Sequence, residues 1–87
     1  MDEYFFLKIM TPDEIFFEGK ARMLELPSKE GRIGVEKGHM PLAVLLDRGE
    51  IAFREKETAR SVGAEVGFAV ITGSEVRIWT RTAFWRT

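Results

Sequence analysis

The sequence predicts an all-β domain, and three of its features carry that prediction. Apolar and polar residues alternate with a period of two: Phe5, Leu7 and Ile9 share one face, as do Leu24 with Leu26, Ile51 with Phe53, and Val76, Ile78 and Thr80 against Arg77, Trp79 and Arg81. Turn-forming clusters recur at residues 11–13, 18–20, 27–31, 37–38, 47–49, 55–57 and 72–74, a spacing that suits a sandwich or barrel of short strands. No long window carries a helical period.

Each element has its own signal. A first strand over 4–10 ends at Thr11-Pro12-Asp13, where proline presets φ and the acidic residue favours a turn. Strands over 14–18 and 20–26 are expected on either side of Glu18-Gly19-Lys20, read as a turn. Pro27 to Gly31 separates these from 32–36, and Lys37-Gly38 precedes 42–46, an apolar run. Asp47-Arg48-Gly49 leads into 50–54, built on Ile51 and Phe53. Glu55-Lys56-Glu57 leads into 58–64 and then 66–72, where Gly63 and Gly67 predict a bulge or a close backbone approach. Thr72-Gly73-Ser74 opens the last run, 75–82.

The 87 residues form a single domain, 1–87, large enough to fold alone but small for a deep catalytic cleft. Apolar residues make up 45% and charged residues 31%, with a net charge of −1, so no global field steers the chain towards nucleic acid or anionic lipid. The absence of cysteine removes disulfides, thiolate metal sites and cysteine nucleophiles together. Met1-Asp2-Glu3 is acidic where a secretory signal is basic. The longest apolar stretch, residues 40–46, contains a proline and is far short of a bilayer span, so any membrane association is expected to be indirect.

The inventory of chemistry is short. His39 is the only imidazole, and no serine sits in a Gly-x-Ser-x-Gly elbow, so hydrolytic triads have no members. One histidine and no cysteine also leave a zinc site without its usual ligands. Asp13 with Glu14, and Glu55 with Glu57, pair carboxylates in polar turns where nothing raises a pKa, which reads as solvated surface. Gly19-Lys20 lacks the upstream glycine and following hydroxyl of a phosphate loop. No cofactor or metal is expected.

Two segments stand out. Residues 27–42 hold three glycines, two prolines and His39 within sixteen residues, a costly density of turn chemistry that suits a shaped, presenting loop. Taken by itself, His39 reads as a turn histidine. The last strand places Arg77, Trp79 and Arg81 on one face, before an apolar ending at Phe84-Trp85. That stripe reads either as a partner-docking surface or as internal packing, with Trp79 beneath Phe84-Trp85 and the arginines over the rings. A stand-alone module binding single-stranded nucleic acid or carbohydrate through this face is the alternative function, although the near-neutral charge argues against nucleic acid.

Five motifs in order resemble the N-terminal domain of the epsilon subunit of F-type ATP synthases. Thr11-Pro12-Asp13-Glu14-Ile15-Phe16-Phe17-Glu18-Gly19 looks like that family's first turn. Glu30-Gly31-Arg32-Ile33-Gly34 and Gly38-His39-Met40-Pro41-Leu42 are similar to its two loop motifs. Gly49-Glu50-Ile51, and then 67–70 with 76–83, match its later turn and strands.

The resemblance implies a ten-stranded sandwich of two five-stranded antiparallel sheets. It also implies a non-catalytic rotor role in the central stalk, coupling ion-driven rotation of the c-ring to ATP synthesis or hydrolysis. The implied gamma-subunit face is Thr11, Gly38, His39, Pro41 and Val44; the implied contact with the polar loops of the c-ring is Glu30, Gly31 and Arg32. The implied location is the cytoplasmic face of a bacterial inner membrane, peripheral through the complex. Arg32 and Arg81 stand where the family often has acidic residues, Glu36-Lys37 replaces a frequent apolar-Pro pair, and the family's C-terminal helical hairpin is expected to be missing, whether the chain is naturally short or truncated. Phe84 and Trp85 are expected to cover sheet surface in its place, as one face for partner or C-terminal packing with Arg77, Trp79 and Arg81.

Overall fold

The computed structural model describes residues 3–87; Met1 and Asp2 of the acidic start lie outside the described residues. Nine strands form: β1 (Phe5–Met10), β2 (Ile15–Ser28), β3 (Gly31–Val35), β4 (Leu42–Leu46), β5 (Gly49–Glu55), β6 (Thr58–Ala64), β7 (Gly67–Ile71), β8 (Glu75–Thr80) and β9 (Ala83–Trp85). Hydrogen bonds join them in the order β1-β8-β7-β4-β2-β5-β6-β9, with β3 on β2 and β1 also on β2.

This continuous sheet folds into two layers because β2 belongs to both. Its first half pairs with β1, Phe17 facing Ile9 and Ala21 facing Phe5, and its second half pairs with β3 and β5. The change occurs at Met23, whose φ of +54° breaks the extended run. One layer is therefore β4-β7-β8-β1-β2 and the other β3-β2-β5-β6-β9, five strands each. A single bridge, Ser28 to Leu46, ties β2 to β4.

The all-β sandwich agrees with the sequence expectation, and three details correct it. The resemblance implied ten strands and nine form, with β2 serving in both layers; the expected strands 14–18 and 20–26 are one, and the expected last strand is two. Gly19 does not turn; it stands opposite Leu7 in the ladder, with the Phe17 ring 3.3 Å from where a Cβ would lie. The pairing is not wholly antiparallel, because β1 runs parallel to β8. The last predicted strand stops at Thr80, and Ala83–Trp85 forms a separate strand on β6.

Inward positions of both layers make the core: Leu7, Ile9, Leu24, Leu26, Leu46, Ile51, Ile71 and Ile78 are all essentially inaccessible. Each such side chain contributes about 1.5–3 kcal/mol through burial. The expected close approach at Gly67 is present, since a Cβ there would lie 1.9 Å from the Trp79 carbonyl oxygen. A register shift between Ile9 and Met10 is a bulge on β2 that lets both Phe16 and Phe17 reach Trp85, with ring centroids at 4.9 and 5.9 Å.

Candidate interaction site

Strand register defines two ends. At one end Met10, Leu46, Gly49, Ala64, Gly67 and Thr80 lie beside the turns at 11–14, 29–30, 47–48, 65–66 and 81–82. The opposite end carries the corner at Met23, the loop 36–41 and the turns at 56–57 and 72–74. The two motif-rich parts of the 27–42 segment therefore point away from one another, separated by the length of β3.

The loop 36–41 is held at three points. Gly38 takes φ +87°, a conformation that only glycine adopts without strain, and its N–H donates to Gly73 O at 2.8 Å. His39 N–H donates to Glu36 O at 3.1 Å. The half-buried ring then places Nδ1 2.7 Å from Met40 O. A carbonyl only accepts, so Nδ1 carries the proton and Nε2 is the nitrogen left to present outward. Pro41, exposed, fixes the approach to β4.

At the other end the β2–β3 turn is closed by the Ser28 hydroxyl, which donates to Gly31 O and accepts from Glu30 N–H at 3.1 Å. Gly31 takes φ +117°. Glu30 is thus displayed on a tight, side-chain-braced turn. Arg32 is not part of that tip. Its Nη1 donates to Glu50 O at 2.9 Å and its Nε lies 3.4 Å from Glu25 Oε1, so its charge is engaged across β2 and β5 on the outer face of the second layer. Lys29 sits 3.9 Å from Asp47, an exposed pair of little energetic weight.

Of the residues implied as one gamma-facing group, Gly38, His39 and Pro41 cluster. Val44 lies along β4 from them, half-buried and lining a cleft of about 280 Å³ with Ile33 and Leu42. Thr11 stands apart at the far end of β1, beside the Glu30 turn's end of the molecule, where its N–H donates to Glu14 O at 2.9 Å. Glu30 and Gly31 stay together.

The C-terminal aromatic face divides. Trp79 does not pack beneath Phe84-Trp85. It stacks on Phe68 of the neighbouring strand, centroids 4.8 Å apart and planes 16° from parallel, with the Arg77 guanidinium 5.6 Å from its ring. Trp85 belongs to the other layer and lies against Phe16 and Phe17, with Arg60 Cζ 3.8 Å above it. Phe84 is exposed and lies over Gly63. The two tryptophans are separated because β8 and β9 are strands of different layers.

Sequence reading missed a further feature on the outer face of the first layer. Leu45, Phe68, Trp79, Met10 and Ile15 are successive partners across its five strands. The available signal was apolar residues at the outward positions of strands whose inward positions are apolar too, but only the register aligns them. Among the described residues no group of three metal-ligating side chains converges, and no helix is long and apolar enough to cross a membrane.

Fold and site together define a two-layer β-sandwich module that presents a braced loop at each end and an apolar row across one face. The chain belongs to the family of ATP synthase delta/epsilon chain beta-sandwich domains, whose profile matches residues 4–86. It is similar to the chloroplastic ATP synthase epsilon chain of Tetradesmus obliquus, 36% identical over 77 residues, covering 88% of this chain and 57% of that one. It is also similar to the chloroplastic epsilon chain of Ostreococcus tauri, 41% identical over 73 residues, covering 84% and 51%. Its fold matches a chain in the Euglena gracilis mitochondrial ATP synthase with a TM-score of 0.89 at 22% identity, covering 98% of this chain and 55% of that chain. The chain spans about half the length of these relatives.

Proposed function

We propose that the chain is a non-catalytic rotor domain of an F-type ATP synthase, bridging the gamma subunit and the c-ring so that ring rotation is coupled to ATP synthesis or hydrolysis. The observation that carries this reading is the family match over 4–86. The fold supports it physically. A rotor element must pass torque between two partners without yielding, and here a close-packed two-layer core joins two ends, each with a loop pinned by its own hydrogen bonds. Preorganised loops lose little entropy on docking, which makes the contacts stiff and tight.

In this reading the His39 loop with Val44 meets gamma, and the Glu30-Gly31 turn meets the polar loops of the ring. Arg32 supports that turn from behind through Glu25 and Glu50. Membrane association is indirect, through the ring. The proposed location is the cytoplasmic face of a bacterial inner membrane, peripheral through the complex. A stand-alone nucleic-acid or carbohydrate module gains no support from them.

His39→Ala removes the presented Nε2 from an edge loop without touching the core, so its melting temperature should stay within about 3 °C of wild type. Its affinity for the gamma subunit should fall about tenfold or more, the loss of one good interface contact. Unchanged affinity measured by titration would count against His39 as a gamma contact.

A further inference from the structure

One edge of the second layer is open backbone. β3 pairs with β2 alone, in a regular register from Ser28–Gly31 to Leu24–Val35. Pro27 faces Arg32 in that ladder and has no N–H, so the two residues do not exchange hydrogen bonds. Antiparallel pairs alternate between bonded and non-bonded, which makes Glu25–Gly34 a non-bonded pair as well. Arg32 and Gly34 therefore turn their N–H and C=O groups away from β2 to the open edge, and both residues are exposed. Among the described residues no backbone group bonds to them there.

Open edges are ordinarily blunted by a proline, a bulge or an inward-pointing charge, and β3 carries none of these. At its centre stands Gly34, which the fold itself does not require: its backbone is not left-handed, and a Cβ there would meet nothing within 4 Å. A strand glycine without an internal reason fits the close approach of another backbone. The sequence of the edge selects which one. Two copies paired antiparallel about Gly34 place Gly34 opposite Gly34, and place Ile33 opposite Val35 and Arg32 opposite Glu36 twice each. The edge-facing groups of Arg32, Gly34 and, by the same alternation, Glu36 then bond across the axis. The Ile33–Val35 pairs lie on the inner face, beside the cleft that Ile33 lines with Leu42 and Val44. The Arg32–Glu36 pairs lie on the outer face; within one copy Arg32 uses Nε and Nη1 for Glu25 and Glu50, which leaves Nη2 for the second copy. Centring the pair on Ile33 instead sets Glu30 against Glu36 and Lys29 against Lys37, like charges that oppose association.

We propose that the free chain forms a two-fold dimer in which the β3 edges of two copies join about Gly34, so that their second layers become one continuous sheet. The proposal goes beyond the rotor reading and does not rest on it, since it concerns the chain outside the synthase.

Sedimentation equilibrium of the wild-type chain, taken up to about 1 mM, should show monomer and dimer in exchange. Arg32→Glu and Glu36→Arg each set like charges opposite one another and should each weaken the dimer about tenfold or more. The double swap restores opposite charges and should return the affinity to within about threefold of wild type. Hydrogen exchange reads the same register without any substitution, which keeps the test whole if a variant fails to fold. The Arg32 and Gly34 amides should exchange more slowly as chain concentration rises, whereas the Ile33 amide, bonded to β2 in either state, should not change. A monomer at every concentration, single variants that dimerise like wild type, a double swap without rescue, or Arg32 and Gly34 amides indifferent to concentration would each overturn the proposal. So would a monomer whose Gly34 amide is protected only when the gamma subunit is added, which makes a partner's strand the occupant. Each of these outcomes leaves the rotor reading standing.

Discussion

Gly67→Ala should unfold this domain more readily than any other single glycine-to-alanine change in the chain. The added Cβ would lie 1.9 Å from the Trp79 carbonyl oxygen and 2.9 Å from Thr80 Cα, both backbone atoms of the paired strand. No side-chain rotation relieves such a contact, so β7 has to move away from β8 at Gly67–Thr80, where the ladder begins. Overpacking of this kind costs about 3 kcal/mol, which for a domain of this size is a fall of about 12–24 °C in melting temperature. Gly73→Ala is the control. Nothing lies within 4 Å of a Cβ there, and the change should stay within about 0.5 kcal/mol. Equal melting temperatures for the two variants would show that the β7–β8 approach is looser than described.

Trp85→Ala should cost about 3 kcal/mol, whereas Phe84→Ala should cost no more than about 1 kcal/mol. The two residues are neighbours, but strand alternation sends them to opposite faces of β9. Trp85 closes the open side between the layers, packed on Phe16 and Phe17 and capped by Arg60, which is itself held by Glu55 at 2.5 Å. Its removal exposes phenylalanine surface and strips Arg60 of its ring. Phe84, 57% exposed, covers only Gly63, so its loss uncovers a strand glycine and little else. Thermal unfolding of both single variants checks the asymmetry; similar losses from both would mean that the terminal segment acts as one unit.

Much of this arrangement is legible in the amino-acid order because local physics decides it. Leu7 with Ile9, and Val76 with Ile78, announce inward faces through a period that any half-buried strand must show. Gly38 and Pro41 announce a turn because their backbone preferences are intrinsic. What is not legible depends on partners distant in sequence. Gly19 has the composition of a turn, yet the ladder opposite Leu7 and the cover of Phe17 keep it extended. The Phe16-Phe17 pair breaks the alternation, and the bulge that explains it is visible only in register with β1. Trp79 meets Phe68 and not Trp85 because β8 and β9 fall in different layers, a consequence of chain topology. Likewise the row from Leu45 to Ile15 draws on five strands, and no window of sequence contains it. The neighbours of Arg32, Glu25 and the Glu50 carbonyl, lie on other strands, so only the fold brings them to it.

In the proposed rotor reading, opposite ends of one rigid sandwich engage different subunits. Because these 87 residues contain no cysteine, Glu30→Cys and His39→Cys each place a single thiol in the domain, from which contacts in the assembled synthase can be read. Cross-linking from position 39 should yield a product with the gamma subunit, and from position 30 a product with the c-ring. Products of both positions with the same subunit, or with neither, would overturn the rotor reading.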